Sequence, residues 1–396
     1  MFRALKNFLA SLLIVALIAC SSGGHAHKAS IAEGTLTPGE NMITARSGHT
    51  ATLLPDGGVL IAGGMSGNGS YFDAAEIYSP TTNTFRPARS MTARRVGHTA
   101  TVLPDGKVLI AGGYNGDYLA GAEIYDHTTG SFTPIGPMTM PRSEHVAVLL
   151  NNGKVLLAGG IGTGWTFLAS AEVYDPSAGT FTRTGNMTTG REAHTATLLK
   201  NGKVLVAGGH KDRREAMTVY SSAELYDPAK GAFSATGGMT TIRHKHAASL
   251  LPDGNVLIVG GSDKRDWQGQ YASAEIYDWA EGKFKAIGGM NMARFKLANA
   301  VVSLKNGEVL IGGGAERLEV YDPATNRFSI VKGQLDRPRY FSAATLLEDG
   351  RVLVTGGYDD RNEASARTWT LNWPHQVAHV AHGAGISISG TARRYL

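Results

Sequence analysis

A turn that returns seven times limits what this chain can fold into. The stretch from His49 to Gly64 places two short runs rich in Val, Ile, Leu and Thr on either side of Asp56-Gly57, and ends on the pair Gly63-Gly64. Asp-Gly between such runs is a strong short-range signal for a β-hairpin, and it predicts the two positive-φ positions of a type I′ turn. The turn recurs at Asp105-Gly106, Asn152-Gly153, Asn201-Gly202, Asp253-Gly254, Asn306-Gly307 and Asp349-Gly350. Six residues after each turn glycine a glycine pair begins: Gly63, Gly112, Gly159, Gly208, Gly260, Gly313 and Gly356. A chain of 396 residues could hold two or three domains, but self-similarity at a near-fixed period argues for one array.

Past the glycine pair each repeat runs through a loop of variable length into a third apolar run. These runs are Ala75-Glu76-Ile77-Tyr78, Ala122-Glu123-Ile124-Tyr125, Ala171-Glu172-Val173-Tyr174, Ala223-Glu224-Leu225-Tyr226, Ala274-Glu275-Ile276-Tyr277 and Leu318-Glu319-Val320-Tyr321. A second turn follows, with Asn83, Gly130, Gly179, Gly231, Gly282 or Asn326 two residues before an aromatic that opens a fourth strand. Asn and Gly enter the left-handed region most cheaply, so that position is predicted to be left-handed. Then comes Met-x-x-x-Arg, as in Met42/Arg46 and Met91/Arg95, before the next first strand. Four-stranded sheets that are apolar on both faces need cover on both. Radial packing provides it, so the expected fold is an all-β, seven-bladed propeller.

With the double glycine, the strand-three tyrosine, the aromatic of strand four and the arginine before the next repeat in view, the chain resembles the Kelch family. The spelling is most similar to the bacterial Kelch variety related to the propeller of galactose oxidase. The resemblance covers about residues 34 to 373 and implies a fold much more than an activity. Gly34 to Pro38, followed by Met42 and Arg46, aligns with Gly130 to Pro134 and reads as a fourth strand without its first three. The last repeat ends on a degenerate third strand, Ala366 to Trp369. The amino-terminal strand is therefore expected to complete blade seven and close the ring.

The remaining segments are read separately. Residues 1–19 look like an export signal, with Arg3 and Lys6 before an apolar run from Phe8 to Ala19 that is too short to span a bilayer comfortably. Leu17-Ile18-Ala19-Cys20 resembles the bacterial lipobox, which implies lipidation of Cys20, the only cysteine of the chain. A single cysteine also excludes disulfides within the chain. Residues 20–33 read as a flexible tether and 374–396 as a tail. Ser21 after the cysteine points to the outer membrane. The expected location is thus the bacterial cell envelope, lipid-anchored and facing the periplasm or the cell surface. A formal charge of +5, spread through the turns and smaller once Arg3 and Lys6 are removed, argues against nucleic acid.

A residue present in nearly every blade serves packing or blade joining, whereas a binding site is asymmetric. His49, His98, His145, His194 and His246 open the innermost strands. Equivalent atoms on neighbouring blades lie roughly 10 Å apart, and metal–nitrogen bonds need about 2 Å, so these are read as structural. The repeated strand-three glutamates are read as partners of the repeat arginines. His25, His27, His375, His379 and His382 form no compelling metal pattern, and no cofactor is called for.

The family resemblance implies that ligands meet the loops after Gly-Gly and the residues just after the repeat arginine. In blades four to seven those positions give His210, Arg213, Arg214, His244, Lys245, Lys264, Arg265, Trp267, Phe295, Tyr340 and Tyr358 as candidate ligand-binding residues, with Lys211 and Lys296 beside them. Blade six has almost no such loop, so a notch between longer basic and aromatic loops is expected. Arg and Lys there suit carboxylates or phosphates, while Trp and Tyr suit sugar faces or peptide side chains. The leading expectation is a monomeric, non-enzymatic binding module for a protein or glycan partner, with an anionic one suiting the basic loops. The alternative is a cofactor-free carbohydrate mutarotase or epimerase using groups such as Glu192, His244 or Arg367. Copper radical chemistry of the galactose oxidase kind needs a tyrosine–cysteine cross-link, for which no cysteine beyond Cys20 exists.

Overall fold

The computed structural model describes residues 30–374. Cys20, the signal segment and the tail histidines lie outside these residues. The described residues form five separate four-stranded antiparallel sheets and one eight-stranded sheet, with two further two-residue hairpins in loops. The eight-stranded sheet consists of two four-stranded blades zipped together at their outer edges, so the blades number seven. In each, a half-buried inner strand such as Thr50–Leu53 is followed by a fully buried second strand such as Val59–Ala62. A third (Ala75–Ser79) and an exposed outermost fourth (Thr84–Pro87) complete it. The seven inner strands neighbour one another in a cycle, and Thr50–Leu53 meets the inner strand of blade seven, Ala343–Leu346.

Packing follows this arrangement. Each hydrophobic cluster is shared by two consecutive blades. Leu54, Leu60 and Ala62 of blade one meet Val108, Ile110 and Tyr125 of blade two. At the closing joint Val59, Ile61 and Tyr78 of blade one meet Leu347 and Leu353 of blade seven. No blade owns a core, so each needs its neighbours to bury both faces. The glycine pair makes the joint possible. Gly63 and Gly64 both have positive φ, and a Cβ on Gly63 would lie 2.6 Å from the carbonyl oxygen of Arg95 in the next blade. The Gly64 N–H donates to that carbonyl at 2.8 Å. At the closure Gly357 donates to the carbonyl of Arg46 at 3.0 Å.

The repeat arginines and glutamates pair as expected, almost without exposure: Arg46–Glu76 at 2.8 Å, Arg95–Glu123 at 2.6 Å, Arg142–Glu172 at 2.8 Å, Arg191–Glu224 at 3.1 Å, Arg243–Glu275 at 2.8 Å and Arg294–Glu319 at 2.7 Å. Each arginine also donates to backbone carbonyls, as Arg46 does to Gly63 and Ala74, so the charge is solvated by protein. Blade seven has no strand-three glutamate, and Arg339 pairs with Asp336 at 2.8 Å instead.

The amino-terminal strand closes the ring and does more. It runs Ile31–Pro38, three residues earlier than the expected start at Gly34. It pairs antiparallel with the third strand of blade seven, Thr368–Asn372, and parallel with the fourth strand of blade six, Arg327–Lys332. That parallel pairing, Ile31 opposite Ile330, accounts for the extra residues. Trp369 and Leu371 of the degenerate strand are buried beneath it.

Two expectations are corrected. The strand-one turn is not type I′: the glycines Gly57, Gly106, Gly153, Gly202, Gly254, Gly307 and Gly350 have positive φ, but the preceding Asp or Asn residues do not. Gly57 N–H donates to Leu54 O, and Leu54 N–H to Gly58 O, which is the pattern of a type I turn with a left-handed bulge glycine. The Asp56 carboxylate accepts from Gly58 N–H at 3.0 Å, and its counterparts in the other six blades do the same. Asp or Asn is there for that bond. In blade six, thirteen positions separate Arg294 from the turn glycine Gly307, against eleven in every other blade. The two extra residues form a turn at Ala298–Asn299 and delay the inner strand to Val301–Ser303.

Candidate functional site at the channel mouth

In every blade but the sixth, the residue after the repeat arginine bridges to the residue after the glycine pair: Ser47 with Met65, Val96 with Tyr114, Ser143 with Ile161, Glu192 with His210, His244 with Ser262 and Tyr340 with Tyr358. The two sets of positions thus lie side by side on one face. Next along the chain, Gly48, Gly97, Glu144, Ala193, Lys245, Lys296 and Phe341 all adopt φ between 50° and 63°. For the five non-glycine residues this costs about 1–3 kcal/mol each. It aims bonds between blades around the mouth: Gly48 N–H to Phe341 O at 3.0 Å, Glu144 N–H to Gly97 O at 2.8 Å, Lys245 N–H to Ala193 O at 2.9 Å. These seven residues rim an axial cavity of about 440 Å³.

Inside, the cavity is walled by the inner strands. Their histidines are structural: His49 meets Thr355 Oγ1 at 2.8 Å, His98 meets Thr50 Oγ1 at 3.2 Å, His145 meets Thr99 at 3.1 Å and His246 meets Thr195 at 3.0 Å. Burial and the adjacent repeat arginine push His49 down to about 3, so it stays neutral. In blade six Leu297 takes the histidine place, and the insertion exposes Ala298 and Asn299 to the channel. Among the described residues no group of three or more His, Cys, Asp or Glu side chains is placed to hold a metal ion.

Above the cavity the individual residues form three clusters. Between blades three and four, Glu192 meets His210 Nε2 at 3.1 Å and Arg213 at 2.7 Å, and the Arg213 guanidinium lies 5.3 Å from the ring centre of Trp165. On blade five, His244 Nε2 meets Ser262 Oγ at 3.0 Å and Asp266 at 3.3 Å, Lys245 pairs with Asp266 at 2.7 Å, and Arg265 with Asp263 at 2.6 Å. Burial lowers the His244 imidazole's affinity for a proton, and the Asp266 hydrogen bond opposes it. Burial alone would raise Asp266, but His244 and Lys245 hold it well below the usual carboxylate range. The His210 and His244 rings meet edge to face at 4.6 Å, which joins these two clusters.

The third cluster fills the expected notch. Trp267 reaches across from the blade-five loop to pack on Phe295 at 4.9 Å and Tyr340 at 4.6 Å. Lys296 sits inside with Trp267, Phe295, Tyr340, Phe341 and Tyr358 around its amine. Phe295 and Tyr340 are buried, so of the sequence candidates here only Trp267, 43% exposed, presents a large apolar surface.

The basic character expected of this face is largely neutralised by Glu192, weighed from the sequence only as an acid–base group, and by Asp263 and Asp266, which the sequence does not single out. Among the described residues Lys211, Arg214 and Lys264 are exposed and outside any ion pair. Two residues of blade three were also missed. Trp165 is 62% exposed beside Arg213 and Tyr118. Glu144 lies over Gly97 at the cavity rim, where burial and the charge of Glu192 push its carboxyl up to about 7. Arg367 does not join Glu192 and His244: it stands 60% exposed with Asp336 at 3.4 Å.

The fold is that of a β-propeller, and its first repeats are similar to the Kelch motif. The Kelch motif is matched at residues 45–92, 94–139 and 141–188. The chain is 30% identical over 122 residues to Kelch-like protein 36 of Mus musculus, a stretch that makes up 30% of this chain and 20% of that protein. It is 28% identical over 135 residues to Kelch-like protein terF of Aspergillus terreus, covering 30% of this chain and 28% of that protein. The matched stretch thus spans less than a third of either relative. Among solved structures a fungal alcohol oxidase of the AA5 family, in complex with copper, superposes with a TM-score of 0.70 at 19% identity, over 86% of this chain and 76% of the other. That likeness is one of fold.

Proposed function

We propose that this Kelch propeller is a binding module of the bacterial envelope, held by a lipid on Cys20, that takes a protein or glycan partner on its strand 2–3 loop face. The observation that carries the reading is the asymmetry of that face. Groups individual to blades three to seven gather at one channel mouth, flanked by the exposed rings of Trp165 and Trp267. Exposed tryptophans beside paired charges are the usual anchors of protein and sugar recognition. Ion pairing of Arg213, Lys245 and Arg265 leaves Lys211, Arg214 and Lys264 to favour an anionic partner.

An anchor at Cys20 would suit this geometry. The first closing-strand residues lie beside the turn at the start of the fourth strand of blade six, where Ser30 meets Ser329. That end of the blade is opposite the loop face. A tether from Cys20 would therefore leave the candidate face pointing away from the membrane. The test is binding of the purified protein to a glycan array and to envelope proteins, alongside a Trp165→Ala/Trp267→Ala variant; undiminished binding by the variant refutes the assignment of the face.

One observation favours a second reading, a cofactor-free mutarotase or epimerase. The axial cavity has non-repeated titratable groups, Glu144, Lys245 and Lys296, at its rim. A carboxyl near neutrality is suited to general acid–base work. Accelerated anomer exchange of a reducing sugar, followed by NMR and lost in Glu144→Gln, would move the assignment to that activity.

A further inference from the structure

Lys245 and Lys296 occupy equivalent left-handed positions on neighbouring blades, yet their surroundings differ in kind. Lys245 is held by both oxygens of Asp266, at 2.7 and 2.9 Å, which fixes it as a charged structural group. Lys296 is 8% exposed and, among the described residues, pairs with no carboxylate. Its amine meets the Tyr358 hydroxyl, and five aromatic rings enclose it. The residue is also among those that line the axial cavity. Burying an ammonium without a counter-charge is costly, and no other blade has a lysine in this state.

We infer that Lys296 is a nucleophilic amine at the channel mouth that condenses reversibly with small aldehydes entering the axial cavity. The nitrogen lone pair attacks the carbonyl carbon to give a carbinolamine, which then expels its hydroxyl as water and leaves an imine. One C=O bond is exchanged for one C=N bond, one water leaves, and nothing is oxidised or reduced. The departing hydroxyl needs a proton, and the Tyr358 hydroxyl in contact with the amine is placed to relay one.

The charges facing the amine support this. Burial, then the like charge of Lys245, lower it to about 8, while Asp266 opposes. Burial, followed by the charges of Tyr340 and Asp266, pushes the Tyr358 phenol up, so it stays a neutral donor and supplies no counter-ion. The five rings act in the other direction, because a cation is attracted to aromatic faces. The competing possibility is thus a permanently charged lysine that merely glues the aromatic cluster together.

The experiment is trapping with D-glyceraldehyde and cyanoborohydride on the full chain at pH 7.5, read by peptide mass spectrometry. An amine near 8 holds about two hundredfold more neutral form at that pH than an ordinary exposed lysine. Lys296 is therefore expected to be modified at least tenfold faster than the exposed Lys264, with a rate that levels off above pH 8. Tyr358→Phe, which keeps the ring and removes the hydroxyl, should slow trapping at Lys296 and leave Lys264 unchanged. Trapping at Lys296 no faster than at Lys264, or a rate still climbing past pH 10, would overturn the inference and leave the lysine as aromatic glue.

Discussion

Glu144→Gln is a perturbation whose size can be worked out in advance. The carboxyl sits at the cavity rim over Gly97, with Glu192 raising its proton affinity and Lys245 and Arg213 only partly compensating. Burial and Glu192 move it from 4.5 to about 7. A carboxyl raised on folding binds its proton more tightly in the folded chain. Its contribution is therefore intact below the unfolded value, is lost as pH rises from there, and is fully lost just above the folded value. From these two values the wild type loses about 2 kcal/mol by pH 6 and about 3 kcal/mol by pH 8, relative to pH 4. Glutamine keeps the shape and cannot ionise. The variant should match the wild type near pH 4 and exceed it by those amounts at pH 6 and pH 8, in urea unfolding followed by tryptophan fluorescence. A difference that does not change with pH, or a variant less stable at pH 8, would refute the account of this site.

Other consequences concern the ring and its loops. Glu123→Ala leaves the buried Arg95 without its partner and should cost about 3–5 kcal/mol in the same assay. Gly112→Ala would place a Cβ 2.4 Å from the carbonyl of Arg142 at a φ of 65°, so it should lower the melting temperature sharply, whereas Gly116→Ala, with open space around it, should cost only its backbone strain, about 1–3 kcal/mol. Removing residues 31–38 would bare the third strand of blade seven and the fourth of blade six together, and a loss of monodispersity in light scattering is expected. The Arg213/Arg214/Lys264/Arg265 quadruple alanine variant should weaken capture of an anionic partner; undiminished capture would remove charge from the recognition account.

The fold was legible because its determinants repeat. Seven turns, seven glycine pairs and six Glu-bearing third strands each mark a backbone position with few alternatives. The wrong turn type shows where the signal was overread. Asp-Gly serves both a type I′ turn and a type I turn with a bulge glycine, and Pro55, Pro104 and Pro252 just before the Asp were the available sign of the second. The site was legible only as a set of positions. Which basic residue meets which acid depends on how loops of neighbouring blades lean together. The pairing of Glu192 with Arg213 and the reach of Trp267 over Tyr340 are not written in spacing. The two-residue insertion of blade six was countable between Arg294 and Gly307, but its consequence, Ala298 and Asn299 turned into the channel, needed the neighbouring strands.

The central claim is that recognition belongs to the loop face and not to the turn face. A photo-crosslinking amino acid placed in turn at Trp165, at Trp267 and at Lys107 on the opposite face, in cells exporting the full chain, tests it most directly. Discrete crosslinked species from the first two positions and none from the third are the predicted result. Crosslinks from Lys107 alone, or equally from all three, would contradict it.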